Sequence, residues 1–148
     1  MEEKRFTYTK VLDNPLVPVT PIRLINTISK RTVILDAIWD TGAQTSVISR
    51  RTSDVLELPR LKRPKKQLQG ISGTVKSKAV LSIAMPGDDG WATIVEVDEV
   101  ERIPSGYDFI IGMDIITCGD FSLAMKDGRM QLSFTFGSKF FYLPIERY

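Results

Sequence analysis

Short β-rich runs broken by Pro, Gly and Asn recur along this chain, and hardly any stretch keeps apolar residues at the 3.6 spacing of a helix. That punctuation constrains the fold more than any single residue does: the chain reads as mostly β. Strands are expected at Arg5–Val11, Val17–Ile25, Arg31–Trp39, Thr45–Ile48, Gln67–Ile71, Thr74–Met85, Trp91–Val100, Phe109–Ile111, Phe121–Met125, Met130–Phe136 and Phe140–Ile145. Hairpin turns are expected at "PGDDG" (Pro86–Gly90) and at "KDGR" (Lys126–Arg129), where Asp-Gly suits a tight turn. Helix is scarce. Ser49 is placed to cap one running through Leu56, with Val55 and Leu56 on one face and Pro59 as the stop; a second opens after Gly112 and runs to Cys118, ended by Gly119.

A chain of 148 residues suits one domain spanning residues 1–148, and 43% hydrophobic with 26% charged residues supplies a core rather than a disordered composition. The net charge of +2 is too small to argue for nucleic acid or an anionic membrane as partner, and neither is expected. The opening "MEEKRFTYTK" has the pattern of neither a signal peptide nor an anchor, and no apolar run is long enough to span a bilayer, so a cytoplasmic location is expected. Cys118, the one cysteine, is expected to be a small buried apolar residue with no His to activate it.

The chain has no histidine. Ser-His-Asp and Cys-His nucleophiles, His-ligated zinc and His general bases are therefore excluded within one copy. Carboxylates remain as the principal acid–base groups. A magnesium site of carboxylates alone, or Lys or Tyr bases, stays open without a recognisable spacing, and no metal or cofactor is expected.

Among the carboxylates, Asp40 stands out. It ends the apolar run "VILDAIW" and is followed directly by Thr41, Gly42 and Ala43 and then, after Gln44, by "TSVIS". An ionised carboxylate at the end of such a strand costs several kcal/mol unless something shares it. Further along lies "YDFIIGMDIIT" (Tyr107–Thr117), two bulky apolar residues and a Gly opening a short helix, and between the two motifs lies "QGISGTV" (Gln69–Val75).

This ordered set, over roughly Val33 to Phe136, resembles the retropepsin-like branch of the aspartic proteases, with Asp-Thr-Gly-Ala as the active-site signature and "IIG" as the second motif. The resemblance implies an all-β, closed retropepsin-like barrel with one or two short helices, acting as a homodimer. A carboxylate serves as general base when a second carboxylate shares its proton, because the two cannot both ionise. With one Asp-Thr-Gly in the chain, the second carboxylate must be Asp40 of another copy, placing the pair on a twofold axis. The implied activity is an aspartic endopeptidase that activates water and takes a peptide in extended form; a non-catalytic dimer of the same fold, binding peptides or acting as a scaffold, is the alternative.

By the same resemblance, Thr41 reaches across the axis with its hydroxyl, Gly42 turns its carbonyl to the substrate main chain, and Ala43 is small because substrate passes over it. Ile110, Ile111 and Gly112 pack under the catalytic loop. Gly70, Ile71, Ser72 and Gly73 form the tip of a flap that closes over the peptide. Retroviral enzymes usually carry an acid straight after the Ala and a base after the second-motif Gly. Here those positions hold Gln44 and Met113, and Gln44 resembles cellular retropepsin-like domains of the ubiquitin-associated type. Arg60, Lys62, Arg63, Lys65 and Lys66 read as a solvated loop, since no aromatics interleave with them. The acids of "VEVDEVER" and Asp88 and Asp89 read as solvent-facing, and Trp39 as core.

Overall fold

The computed structural model describes residues 6–61, 66–67, 74–75, 77–85, 91–136 and 142–144. In chain order the elements are β1 (Phe6–Val11), β2 (Val19–Ile25), β3 (Thr32–Trp39), β4 (Val47–Ser49), α1 (Arg50–Leu56), β5 (Arg60–Leu61), β6 (Lys66–Gln67), β7 (Thr74–Val75), β8 (Ser77–Ala84), β9 (Trp91–Val100), β10 (Phe109–Ile111), α2 (Met113–Ile116), β11 (Gly119–Lys126), β12 (Arg129–Phe136) and β13 (Tyr142–Pro144).

Six strands close on themselves in the order β9-β4-β10-β3-β2-β8 and back to β9, with β13 added against β9 and β5 against β8. Closure leaves the barrel strands no free edge over their paired length. Alternation decides which side chains go inside. In β3, Ala37 and Trp39 are buried while Ile34 and Asp36 face out, so the acid that interrupts the apolar run costs nothing in desolvation. On β2 the same period buries Thr20, Ile22 and Leu24. β4 and β10 lie within the sheet and are buried along their whole length, which is why β10 reads as an unbroken apolar run and β4 departs from one only at Ser49.

A second sheet, β1-β12-β11, is antiparallel throughout and packs on the barrel through aromatic rings. Trp39 stacks on Phe121 with ring centroids 5.4 Å apart and meets Phe134 at 5.2 Å, while its indole N–H donates to the Thr20 hydroxyl at 2.9 Å. A buried indole keeps its polar atom satisfied in this way. The Lys126–Arg129 hairpin turns as expected: Asp127 and Gly128 both take positive φ, 52° and 76°, the geometry that matches strand twist. The Pro86–Gly90 turn lies outside the described residues, although β8 and β9 on either side of it pair antiparallel.

Several local expectations are corrected. Ser49 occupies the N-cap position of α1, but its hydroxyl donates to Asp108 at 2.8 Å instead of capping a helical N–H. Val55 is exposed and Leu56 buried, because adjacent helical positions point about 100° apart. α2 ends at Ile116 rather than Cys118. Gly119 is the first residue of β11, where a Cβ would meet the Thr135 carbonyl oxygen at 2.3 Å. Cys118 is exposed, not buried, since it falls in the turn beyond α2. Asp98 and Glu99 are 0% and 3% exposed, not solvent-facing. They are buried because β5 and β8 bring cations to them: Lys78 Nζ lies 2.8 Å from Asp98, and Arg60 donates to Glu99 at 2.7 Å. Arg60 thus belongs to β5, where it also pairs with Asp54. Lys62, Arg63, Lys65, Asp88 and Asp89 lie outside the described residues.

Candidate active site

Asp40 sits where three strands meet. β10 runs parallel to β3, with Ile111 opposite Trp39, and antiparallel to β4, so the chain that leaves β3 must loop past the end of β10 before it returns as β4. The loop is residues 40–46. Its start is held by Asp40 N–H, which donates to the Ile111 carbonyl at 2.9 Å. It then tightens on itself: Ala43 N–H donates to the Asp40 carbonyl at 3.1 Å, and Gly42 N–H donates to Asp40 Oδ1 at 2.8 Å. A Cβ on Gly42 would lie 3.1 Å from that same carboxylate oxygen, so glycine gives the carboxylate room to take the main-chain bond. Asp40 is half-buried, with Thr41 and Gly42 exposed beside it.

Ala43 departs from expectation. It is 1% exposed and packs with Val47, Val100, Ile103 and Ile110. Its small size therefore serves the packing of this chain's own core and offers a substrate no surface. Ile110 and Ile111 are buried, at 3% and 0% exposed. Gly112 has a stricter reason to be glycine: a Cβ there would meet the carbonyl oxygens of Thr45 and Ala43 at 2.6 and 2.9 Å.

At Gln44 and Met113, which lack the charges of the retroviral ion pair, the loop and the start of α2 are joined through main chain instead. Met113 N–H donates to the Ala43 carbonyl at 2.8 Å, and Asp114 N–H to the Gln44 carbonyl at 3.2 Å. Side chains that sequence reasoning missed complete the tie. Asp114 accepts from Ser46 N–H at 3.0 Å and from the Ser46 hydroxyl at 2.7 Å, while the Ser46 oxygen accepts from Gly112 N–H at 3.0 Å. On the other side, the Thr45 hydroxyl donates to Asp98 at 2.7 Å. The available signal was a hydroxyl pair, Thr45-Ser46, one residue after the motif, and acids between two valines of a strand, since buried acids need partners.

Gly70, Ile71, Ser72 and Gly73, expected to form a flap, lie outside the described residues; the two-residue strands β6 and β7 that bracket them pair antiparallel, Lys66 with Val75 and Gln67 with Thr74. Beside the second motif is a cavity of about 670 Å³ lined by Arg51, Arg102, Ile103, Tyr107 and Asp108, among others, and not by Asp40. Arg51 grips Asp108 with two bonds, at 2.6 and 2.8 Å, and that hydrogen bonding, aided by Ser49 and Thr52, holds the Asp108 carboxyl below the usual range. Among the described residues no three His, Cys, Asp or Glu side chains are grouped to hold a metal, and no helix is long and apolar enough to cross a membrane.

A closed six-stranded barrel with two short helices, carrying an Asp-Thr-Gly loop locked over an Ile-Ile-Gly strand, is the retropepsin-like fold. Among solved structures the chain is similar to a retropepsin-like aspartic protease from Rickettsia conorii, at 10% identity and a TM-score of 0.62, covering 93% of this chain and 96% of that one. It is also similar to the EIAV protease complexed with the inhibitor HBY-793, at 20% identity and a TM-score of 0.50, covering 68% of this chain and 86% of that one. No protein-family model and no curated protein sequence matches it. The expected resemblance is thus met by structural neighbours that are aspartic proteases, and at these identities what they establish is the fold.

Proposed function

We propose that this chain is one half of an aspartic endopeptidase, completed when two copies bring their Asp40 side chains together. The observation that carries the reading is the state of Asp40: a half-buried carboxylate, one per signature loop, with one oxygen taking the Gly42 N–H and its backbone tied to Ile111. Two such groups within hydrogen-bond distance hold one proton between them. One carboxylate takes a proton from water as the water oxygen attacks the peptide carbonyl carbon, and the other gives its proton to the carbonyl oxygen. Collapse of the tetrahedral species breaks the C–N bond: the leaving nitrogen takes a proton from one carboxyl while a hydroxyl of the tetrahedral carbon returns one to the other, so the pair again holds a single proton and a carboxylic acid is released. Thr41 steadies the two loops across the axis, Gly42, Ala43, Ile111 and Gly112 hold each loop in shape, and residues 70–73 cover an extended peptide. The whole chain, residues 1–148, serves as one such domain.

The test is incubation of the protein with a diverse peptide library at several pH values, read by mass spectrometry, alongside Asp40→Asn. Cleavage by the wild type is expected, with the rate lowered roughly a hundred- to ten-thousandfold in the variant. Dimerisation should be preserved. Undiminished cleavage by the variant removes Asp40 from the chemistry, and a wild type that binds peptides but leaves them all intact is a binding module.

A further inference from the structure

Asp98 stands at the seam of the barrel. On β9 it lies opposite Lys78 of β8 on one side and Val47 of β4 on the other, where the sheet closes on itself. It is fully buried. Its main-chain N–H donates to the Ser46 carbonyl at 3.0 Å, one carboxylate oxygen lies 2.8 Å from Lys78 Nζ, and the other accepts from the Thr45 hydroxyl at 2.7 Å. Lys78 is itself largely buried, 18% exposed.

A buried ion pair is poor value as a source of stability, because desolvating both charges offsets their attraction and apolar replacements are often neutral or better. What apolar residues cannot supply is a directed bond onto the loop. We infer that Asp98, neutralised by Lys78, is a positioning residue for the Asp40 loop and acts through the Thr45 hydroxyl. The loop is then gripped from both flanks: α2 holds Ala43, Gln44 and Ser46 on one side, and Asp98 holds Thr45 and Ser46 on the other. Without the second grip, the residues between Asp40 and Ser46 can tilt about the α2 contacts, and a small tilt matters for two carboxylates that must share one proton.

The kinetic part of this inference rests on the peptidase reading, so the test carries two readouts. Thr45→Val removes the hydroxyl at nearly constant volume, and Thr45→Ser keeps it. Thr45→Val is expected to speed amide hydrogen exchange in residues 41–46. It should also lower kcat on a cleaved library peptide roughly ten- to a hundredfold with KM changed less than about twofold. Thr45→Ser should restore both, together with the melting temperature that Thr45→Val loses by leaving a buried carboxylate oxygen without its hydroxyl donor. The double variant Asp98→Asn with Lys78→Met, which removes both charges and keeps an acceptor, should retain more activity than Thr45→Val. Exchange in residues 41–46 unchanged in Thr45→Val overturns the inference, as does a kcat loss that Thr45→Ser does not rescue. A wild type that cuts no peptide, with exchange accelerated in Thr45→Val, instead defeats the peptidase reading and leaves the positioning role standing.

Discussion

A Cβ on Gly112 would press on two carbonyl oxygens that belong to the loop around Asp40. Neither can retreat freely, since Ala43 O already accepts from Met113 N–H and Thr45 is held by Asp98. Gly112→Ala is therefore expected to cost about 1–3 kcal/mol, the usual range for overfilling a packed site. It should also displace the loop, so activity falls further than stability alone explains. Urea midpoints and kcat measured on the same preparation check this; a variant of wild-type stability and rate contradicts the contact. Residue by residue, the signature was legible, because Asp-Thr-Gly-Ala and Ile-Ile-Gly are local strings. The reason for Ala43 was not, because what covers it comes from β4, β9, β10 and the residues between the last two.

At the scale of elements, α1 is anchored by its neighbours. Asn26 donates from its side-chain amide to the carbonyls of Leu56 and Glu57, at 2.8 and 3.0 Å, closing the C-terminal end. At the other end Arg51 and Ser49 bind Asp108, which directly precedes β10. The Asp108 carboxyl is lowered by the Arg51 hydrogen bonds, so its folded value lies below the unfolded value near 3.8. The sign follows from linkage: the contribution is fully present above the unfolded value and is lost as pH falls through the folded one. The stability difference between wild type and Asp108→Asn should thus be steady near neutrality and shrink below about pH 4. Thermal unfolding followed from pH 7 to pH 2.5 reads it, and a difference that stays constant into acid would mean the pair does not titrate as the structure implies.

For the whole molecule, the proposed reaction centre is half built in one chain. Activity per chain should therefore rise with protein concentration and level off once dimers dominate, and mixing wild type with excess Asp40→Asn should suppress it. Rates measured over a dilution series, with sedimentation at the same concentrations, test this; a rate strictly proportional to concentration in a monodisperse monomer contradicts it. The exposed edge of β11, with Leu123 and Met125 outward, belongs to the sheet that Trp39 joins to the barrel.

The amino-acid sequence by itself determined the strands and the central string of the site. Period-2 alternation, turn residues and the Asp-Thr-Gly-Ala motif are all encoded within a few neighbouring positions, and β2, β3, β9, β10 and β12 fall close to where alternation puts them. Only the tertiary structure decided how the acids are used. Glu96, Asp98, Glu99 and Glu101 look alike in sequence, yet two of the four are buried, because β8 and β5 carry Lys78 and Arg60 across to meet them. A charge's environment is set by its partners across the sheet, and those are distant in the chain. The same holds for the bonds from Asp98 and Asp114 that clamp the loop: local pattern fixes which way a side chain points, and only closure of the barrel supplies what it points at.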